Sequence, residues 1–287
     1  MESIIRDKAV EYMESNSFLS ECQHGFIAKR SWTTNLLAVL DRWTESLDRR
    51  TPVDVVYLDL SKAFDSVPHH SLLLKLKSYG TGSSLLAWIK DVLLGRRQRV
   101  GVNGTYSGWP PVTSGVPQGS VLGPVLFVIF INDLPNIVNS LCQMYAHDTK
   151  VFVKVEKESI AKLQQDLDML VEWADCWQLR FNADKCKVLH LGQNNPKQTY
   201  SMKQHCAGER VTLGTSEGEK DLGIPMDSEL KFSKHVEEQV NKANRILGLI
   251  RRSYEQLDKE SMNLLFTALV RPHLEFGNVC FTKITLN

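Results

Sequence analysis

The sequence predicts an α+β fold in which an antiparallel sheet packs on helices, and three observations support this prediction. Residues 53–60 are mostly apolar and rich in β-branched side chains, with an unbroken apolar run at residues 55–58, as expected for a buried strand. Residues 142–145 and 150–155 are two further apolar runs separated by a short polar segment, which indicates an antiparallel hairpin. In residues 163–177 and 232–250 the apolar side chains recur at helical spacing instead. Strands in the middle of a chain with helices around them are typical of the α+β class.

Two helices are predicted before the first strand. Residues 1–20 carry apolar side chains at roughly helical spacing, and residues 33–47 place their large apolar side chains on one face. Pro52 ends the second helix, because proline cannot continue a helical hydrogen-bond ladder. After the strand, helical spacing returns at residues 70–79 and 84–94.

A hairpin and a buried helix are predicted in the centre of the chain. The dipeptide Asn103-Gly104 is the strongest short-range hairpin signal in the sequence. Residues 99–102 and 106–109 flank it and are therefore predicted to be paired strands. Residues 112–116 are predicted to lead into a mostly buried helix over residues 119–131.

The second half of the chain is predicted to pass from strands to helices. Residues 146–149 are placed at the turn of the second hairpin, and short strands are expected at residues 187–191 and 221–225. Residues 192–218 are polar and lack periodicity, which predicts an irregular connection. The rest of the chain, beyond residue 231, is predicted to be wholly helical.

Composition is that of an ordinary globular protein. The 287 residues suffice for one large domain or two small ones, and they are 43% hydrophobic and 23% charged. Lysine and arginine number 34 against 33 aspartates and glutamates, so a nucleic-acid partner would need a local basic surface such as Arg96, Arg97 and Arg99. The longest apolar run, residues 125–131, is far too short to span a bilayer, so no membrane partner is expected.

The six cysteines form no CxxC pair and no regular framework. Because no signal peptide is recognisable at the N-terminus, we expect reduced thiols and an intracellular location, in the nucleus or cytoplasm. A zinc site can be imagined from one group of residues, but their spacing matches no usual zinc pattern. These residues are Cys186, His190, His205 and Cys206.

Three blocks of sequence carry the candidate chemistry. The first is VVYLDLSKAFD at residues 55–65, in which Asp59 follows the apolar strand. The second is SGVPQGSVLGP at residues 114–124, and the third is MYAHDTKVF at residues 144–152. A carboxylate that ends a buried strand, beside another on a hairpin turn, is held rigidly. Such a pair suits Mg²⁺, which prefers hard oxygen ligands.

In order and content these blocks resemble motifs A, B and C of the reverse transcriptase of a non-LTR (LINE-type) retrotransposon. Motif C of that family reads aromatic-Ala-Asp-Asp, whereas Tyr145-Ala146-His147-Asp148 has a histidine at the leading aspartate. WQLRFNADKCK at residues 177–187 resembles motif D, and DLGI at residues 221–224 resembles motif E. RPHLE at residues 271–275 resembles a segment that follows the thumb in this family.

This resemblance implies RNA-directed DNA synthesis, in which a DNA primer is extended on an RNA template from deoxynucleoside triphosphates. Two Mg²⁺ ions are expected, with Asp59 and Asp148 as the surviving catalytic metal ligands. His147 stands at the lost ligand position, and its imidazole suits Mn²⁺ better than Mg²⁺. Because one of three anionic ligands is replaced, the prediction includes impaired activity.

Further residues are expected around the incoming nucleotide by the same resemblance. Phe64 would pack against the sugar and exclude a 2′-hydroxyl. Gln118 would touch the nucleotide, and Gly119 would let the backbone approach it closely. Lys185 would lie near the triphosphate. Asp65 is ambiguous between a helix N-cap and a site residue, and the N-cap is favoured.

The family's architecture implies a division of the chain into three parts. Residues 1–52 are interpreted as partial fingers helices, residues 53–228 as the palm with motifs A to E, and residues 229–287 as a helical thumb with a C-terminal segment. The basic fingers strands of the family are expected upstream of Met1. The chain is therefore interpreted as an N-terminally truncated, degenerate copy.

Other interpretations stay open beside the active enzyme. One is a non-catalytic remnant that binds template and primer through phosphate contacts, and another is a translated pseudogene with no cellular role. His147 favours both of them over an active polymerase. A generic α+β domain without polymerase ancestry is the least specific alternative.

Overall fold

The computed structural model describes residues 2–156, 158–205, 208–254 and 256–282. The helices within these ranges are α1 (Glu2–Ser15), α2 (Trp32–Asp48), α3 (Ala63–Ser66), α4 (His69–Ser78), α5 (Ser83–Leu93), α6 (Gly123–Ile131), α7 (Ser159–Cys176), α8 (Ser233–Ser253), α9 (Lys259–Leu265), α10 (Arg271–Glu275) and α11 (Asn278–Thr282). The strands are β1 (Val53–Leu58), β2 (Gly101–Val102), β3 (Thr105–Tyr106), β4 (Leu141–Tyr145), β5 (Asp148–Lys154), β6 (Lys187–Leu191), β7 (Ser201–Lys203), β8 (Arg210–Thr212), β9 (Gly214–Ser216), β10 (Gly218–Asp221) and β11 (Ile224–Asp227).

A five-stranded sheet with the order β4-β5-β1-β6-β9 forms the centre of the molecule. β1 lies in the middle and is antiparallel to both β5 and β6, whereas β9 is parallel to β6. Leu58, the last residue of β1, pairs with Thr149, the second residue of β5. This register brings the end of β1 beside the β4–β5 turn. The predicted α+β class is confirmed.

Both faces of the sheet are buried, because successive strand residues point to opposite sides. Val56, Val151 and Val188 belong to the larger core, which α4, α6 and α7 complete. Val55 and Phe152 belong to a second core under α2, where the ring of Trp43 meets Phe152 edge-on at 5.7 Å. The apolar run at residues 55–58 of β1 follows from this two-sided burial.

A buried polar cluster fixes β1 against β6. Asp54 is fully buried and accepts hydrogen bonds from Asn195 at 2.8 Å and from the Tyr200 hydroxyl at 2.6 Å. The Nδ1 atom of His190 lies 2.6 Å from the same carboxylate. His190 is thus engaged with Asp54 rather than with a cysteine, and Cys206 of the imagined zinc site lies outside the described residues.

Three predicted elements differ in the structure. The buried helix predicted over residues 119–131 begins only at Gly123, and residues 112–116 before it make an isolated bridge from Ser114 to Pro68. Residues 221–225 were predicted to be one strand but form the turn of the β10–β11 hairpin, where Leu222 and Gly223 have φ values of 47° and 92°. The region predicted to be irregular, residues 192–218, contains β7, β8 and β9.

The C-terminal part is helical, as predicted. α9 continues through a π-helical stretch, Phe266–Val270, into α10, and Ala243, Ile250 and Val270 pack together between these helices and α8. α11 returns to the central core, where Cys280 is buried beside α2.

The five cysteines in the described ranges are free thiols. No described helix has the length and apolar character needed to cross a membrane. The three-part division at residues 52 and 228 stays a prediction.

Candidate active site

Asp59 and Asp148 line one open cleft of about 160 Å³ at the end of β1. Asp59 directly follows β1, and Asp148 begins β5, so the strand register itself brings them to the same place. Lys185 lines the same cleft. The β10–β11 hairpin adds side chains that were not predicted there, namely Glu219, Lys220, Asp221 and Leu222.

The segment that resembles motif D docks on the backbone of Asp59. The amide of Asn182 donates to the Asp59 carbonyl at 2.8 Å, and the Asp59 amide donates to the Cys186 sulfur at 3.4 Å. Burial raises the pKa of the Cys186 thiol to about 11, so the sulfur stays neutral beside the carboxylate. Lys185 Nζ lies 3.9 Å from the Asp59 carboxylate, and 67% of the lysine side chain is exposed.

The β4–β5 turn is tighter than predicted. Tyr145 pairs with Asp148, so only Ala146 and His147 connect the strands, instead of residues 146–149. Ala146 has a φ of 54°, a left-handed conformation that two-residue hairpin loops require. The tight turn places Asp148 on the first position of a strand rather than in a loop.

Gln23, which sequence analysis did not single out, holds this turn. Its side chain is fully buried, and its carbonyl oxygen accepts hydrogen bonds from the amides of Gly25 at 2.7 Å and Ala146 at 2.8 Å. Its amide nitrogen donates to the Ala146 carbonyl at 3.2 Å. The available sequence signal was a polar residue two positions before a glycine, and that pattern is common in loops of every kind.

Gly25→Ala is expected to destabilise the protein by about 1–3 kcal/mol, because an added Cβ would lie 2.4 Å from the backbone nitrogen of Ala146. Urea unfolding followed by circular dichroism measures this change. Gly248→Ala is the matched control. Gly248 lies within α8, where an added Cβ would meet no described atom within 4 Å apart from the helix's own nearby backbone, and the substitution is expected to stabilise by up to about 1 kcal/mol. Equal effects of the two substitutions would contradict the close contact at the turn.

His147 stands in the turn beside Asp148 but is not among the residues that line the cleft. Its Nε2 atom is 3.7 Å from the Asp148 carboxylate, and its ring meets Phe64 edge-on at 5.8 Å. Its Nδ1 atom is buried and has no hydrogen-bond partner among the described residues. The imidazole therefore packs against Phe64 and provides no anionic oxygen to the cleft.

Four carboxylates line the cleft, those of Asp59, Asp148, Glu219 and Asp221, against three lysines, Lys150, Lys185 and Lys220. Desolvation raises the pKa of Asp148, the carboxylates of Asp221 and Asp59 raise it further, and His147 and Lys150 oppose the change. Because 61% of the Asp148 side chain is exposed, solvent screens part of this effect. A cation in the cleft would relieve the remaining repulsion.

A buried ion pair lies behind these carboxylates. Lys150 in β5 and Asp221 in β10 are each 5% exposed, and Lys150 Nζ is 2.5 Å from the Asp221 carboxylate. The Tyr57 hydroxyl donates to the same carboxylate at 3.3 Å. This pair joins the hairpin that carries Asp148 to the β10–β11 hairpin.

The remaining predicted nucleotide residues lie outside this cleft. Phe64 is half-buried and stacks on Phe127 with ring centroids 4.4 Å apart. Gln118 lines a neighbouring groove, and Gly119 beside it has a φ of 78°. The favoured N-cap role of Asp65 is wrong, since Asp65 lies inside α3 and accepts a hydrogen bond from the Gln118 side chain at 2.8 Å.

Two of the basic residues predicted to contact phosphate are partly occupied within the protein. Arg96 donates to the carbonyls of Leu93 at 3.1 Å and Gly115 at 2.9 Å. The guanidinium of Arg99 lies over aromatic rings of its own hairpin. Arg97 is exposed.

In the described part of the chain, no group of three or more His, Cys, Asp or Glu side chains is arranged to hold a metal ion.

Comparison with known proteins agrees with these features. The family model described as reverse transcriptase (RNA-dependent DNA polymerase) matches residues 2–247. The RNA-directed DNA polymerase from mobile element jockey of Drosophila melanogaster is 29% identical over 249 residues, which are 82% of this chain and 26% of that protein. The probable RNA-directed DNA polymerase from transposon X-element of the same fly is 30% identical over 244 residues, with the same coverage. The chain thus spans about a quarter of the length of these relatives.

A solved structure gives the same assignment of fold. Apo telomerase from Candida tropicalis, truncated from its C-terminal domain, superposes with a TM-score of 0.56 at 10% sequence identity. The match covers 81% of this chain and 44% of that protein. At this identity the likeness shows the fold alone, a polymerase palm of α+β class. The match over residues 2–247 and the named relatives establish that the chain belongs to the reverse transcriptases of non-LTR, LINE-type retrotransposons.

Proposed function

We propose that this domain carries out RNA-templated DNA synthesis at the cleft that Asp59 and Asp148 share, with activity impaired by His147. The observation that carries the proposal is the meeting of these two carboxylates at the ends of paired strands in a chain of this family. The domain would extend a DNA primer on an RNA template with deoxynucleoside triphosphates. It would do so inside the cell, in the nucleus or cytoplasm.

Asp59 and Asp148 would hold divalent cations. Their hard carboxylate oxygens and the negative charge of the cleft fit Mg²⁺, which commonly binds one or two carboxylates and completes its coordination with substrate phosphates and water. Two such ions, when bound, activate the primer hydroxyl and neutralise the leaving group. Mn²⁺ is the expected substitute if His147 contributes, because imidazole is a softer ligand.

The nucleotide would lie between the cleft and the groove that Gln118 lines. Lys185 reaches the cleft with most of its side chain in solvent, which leaves its ammonium available to a triphosphate. The exposed amide of Gln118 and the open backbone at Gly119 would contact the nucleotide itself. Phe64, held by Phe127, would oppose a 2′-hydroxyl sterically.

The second candidate function is a nucleic-acid-binding remnant without turnover, and the position of His147 supports it. The imidazole packs on Phe64 and supplies no anionic ligand, so the cleft has two motif carboxylates where the family has three. A translated pseudogene is the third interpretation. Extension of a DNA primer on an RNA template, assayed with Mg²⁺ and with Mn²⁺, separates the polymerase from both alternatives.

Binding of a template–primer duplex is expected to weaken steeply with salt, because phosphate contacts release counterions. Lys185→Gln and Arg97→Gln are each expected to lower the slope of log Kd against log salt by about 1. Lys8→Gln is the matched control, because Lys8 already pairs with Glu11 at 2.7 Å on α1. Fluorescence anisotropy between 50 and 200 mM salt, as rough limits, measures the slopes. Binding independent of salt, or no binding at low salt, would contradict both the polymerase and the remnant.

A further inference from the structure

A surface hairpin outside the cleft exposes four large apolar side chains. We name residues 96–111, which contain β2 and β3, the 96–111 hairpin. Within the described residues its two strands pair only with each other. Its exposed side chains, with their exposed fractions, are Val100 (65%), Val102 (62%), Tyr106 (60%) and Trp109 (55%). Tyr106 pairs with Gly101 and Thr105 with Val102, so the two valines lie on the face opposite Tyr106, because successive strand residues alternate. Large apolar side chains exposed on such a hairpin commonly mark a binding site.

The two aromatic side chains of this hairpin form a platform together with an arginine. The guanidinium carbon of Arg99 lies 4.1 Å from the ring centroid of Tyr106 and 4.7 Å from that of Trp109. The Tyr106 ring also covers Gly101, where an added Cβ would lie 2.7 Å from a ring carbon. Aromatic rings held beside a guanidinium are the surfaces on which unpaired nucleobases stack.

The charge of this region favours a polyanionic ligand. Residues 92–132 contain three arginines and neither aspartate nor glutamate. Arg97 and Arg99 are both exposed on the 96–111 hairpin. Positive charge beside exposed aromatic rings suits nucleic acid, which pairs its phosphates with arginine side chains. Asp65, a carboxylate that lines the adjoining groove, accepts a hydrogen bond from Gln118.

The 96–111 hairpin is also anchored where a nucleic-acid strand would enter the candidate site. Arg96 at its base donates to the carbonyl of Gly115, in the loop that precedes Gln118. A groove of about 1020 Å³ runs from this base past Pro111 to Gln118. A nucleic-acid strand that lies on the rings of the hairpin can therefore continue along the groove toward Gln118, one of the side chains expected to contact the nucleotide.

We infer that the 96–111 hairpin is a docking surface for single-stranded RNA, whose bases stack on the exposed parts of Trp109 and Tyr106 beside the Arg99 guanidinium while Arg97 contacts its phosphates. The identity of this strand as the unpaired template ahead of the nucleotide rests on the proposed function. The stacking itself does not depend on catalysis. Stacking uses the flat face that every base has, so binding at this surface is independent of sequence.

Anisotropy of a labelled, unstructured RNA, measured at low salt with the full chain and without nucleotides, tests this inference. Trp109→Ala and Tyr106→Ala are each expected to weaken RNA binding by about 5- to 100-fold, as loss of base stacking does. Trp109→Phe keeps a ring and should stay within about threefold of wild type. Val102→Ala is the matched control, since it removes exposed apolar surface from the same hairpin but no ring. A circular-dichroism melt verifies that each variant is folded.

The outcomes separate this inference from the proposed function. Loss of binding on removal of either ring, with retention in Trp109→Phe and Val102→Ala, supports the stacking surface. RNA binding that neither ring substitution weakens would overturn the inference and leave the polymerase proposal to the primer-extension assay. Equal losses in Val102→Ala and Trp109→Ala would also overturn it, because they would indicate a general apolar interface such as one for a protein. Absence of RNA binding at low salt would overturn it directly.

Discussion

His147→Asp is expected to raise Mg²⁺-dependent primer extension on an RNA template by about 10²–10³-fold over the unmodified chain. The aspartate would restore an anionic oxygen ligand at the turn beside Asp148, where the imidazole now packs on Phe64. We expect the turn to tolerate the change, because Gln23 holds it through hydrogen bonds to the backbone of Ala146. In the unmodified chain we expect little extension with Mg²⁺ and a relative gain with Mn²⁺.

Two controls make this expectation specific. His147→Asn removes the imidazole without adding charge, and it should recover much less activity than His147→Asp. Asp59→Asn in the His147→Asp background should return extension to the baseline, because the second carboxylate of the cleft is then neutral. Robust Mg²⁺-dependent synthesis by the unmodified chain would show that His147 is tolerated. Failure of His147→Asp to raise activity would place a separate defect elsewhere.

Asp221→Asn is expected to destabilise the protein by roughly 3–5 kcal/mol, because it leaves the ammonium of Lys150 buried without a counter-charge. Both side chains are 5% exposed, so water cannot compensate. The loss should appear as a lower urea midpoint with an unchanged slope, followed by circular dichroism near neutral pH.

Two comparison variants distinguish the buried pair from an ordinary ion pair. Glu275→Ala breaks the exposed pair with Arg271, whose side chains are 56% and 51% exposed, and it should cost less than about 1 kcal/mol. Combining Asp221→Leu with Lys150→Met removes both charges and should recover most of the stability lost in Asp221→Asn. An Asp221→Asn variant as stable as the wild type would contradict the buried pair.

The elements that sequence predicts best here are those in which local pattern and burial agree. β1 follows from the apolar run at residues 55–58, because the sheet is covered on both faces, and α2 and α8 follow from helical spacing. Residues 112–116 form only an isolated bridge, because the prolines and Gly115 around them prevent a strand ladder. β7 to β9 are three-residue strands in a polar segment, and only tertiary pairing defines them.

In the candidate site, too, residues within a local sequence pattern can be predicted, whereas roles that depend on tertiary contacts cannot. Asp59 and Asp148 can be found from sequence because each lies at the edge of an apolar strand within a recognisable block. Gln23 supports the turn through a hydrogen bond to a residue more than a hundred positions away in the sequence. No local sequence pattern could therefore reveal this role. Asp65 was assigned to a helix end from its residue type, whereas its hydrogen bond to Gln118 depends on how two distant motifs pack.

The most direct test of the proposed site is binding of Mn²⁺, as a paramagnetic substitute for Mg²⁺, to the His147→Asp protein with template–primer and a non-reactive deoxynucleoside triphosphate. Electron paramagnetic resonance counts the bound ions without requiring catalysis. We predict saturable binding that Asp59→Asn and Asp148→Asn each abolish or weaken by at least about tenfold, because these carboxylates hold the ions. Mn²⁺ binding that neither substitution changes would contradict the assignment of this cleft as the metal-binding site of the polymerase.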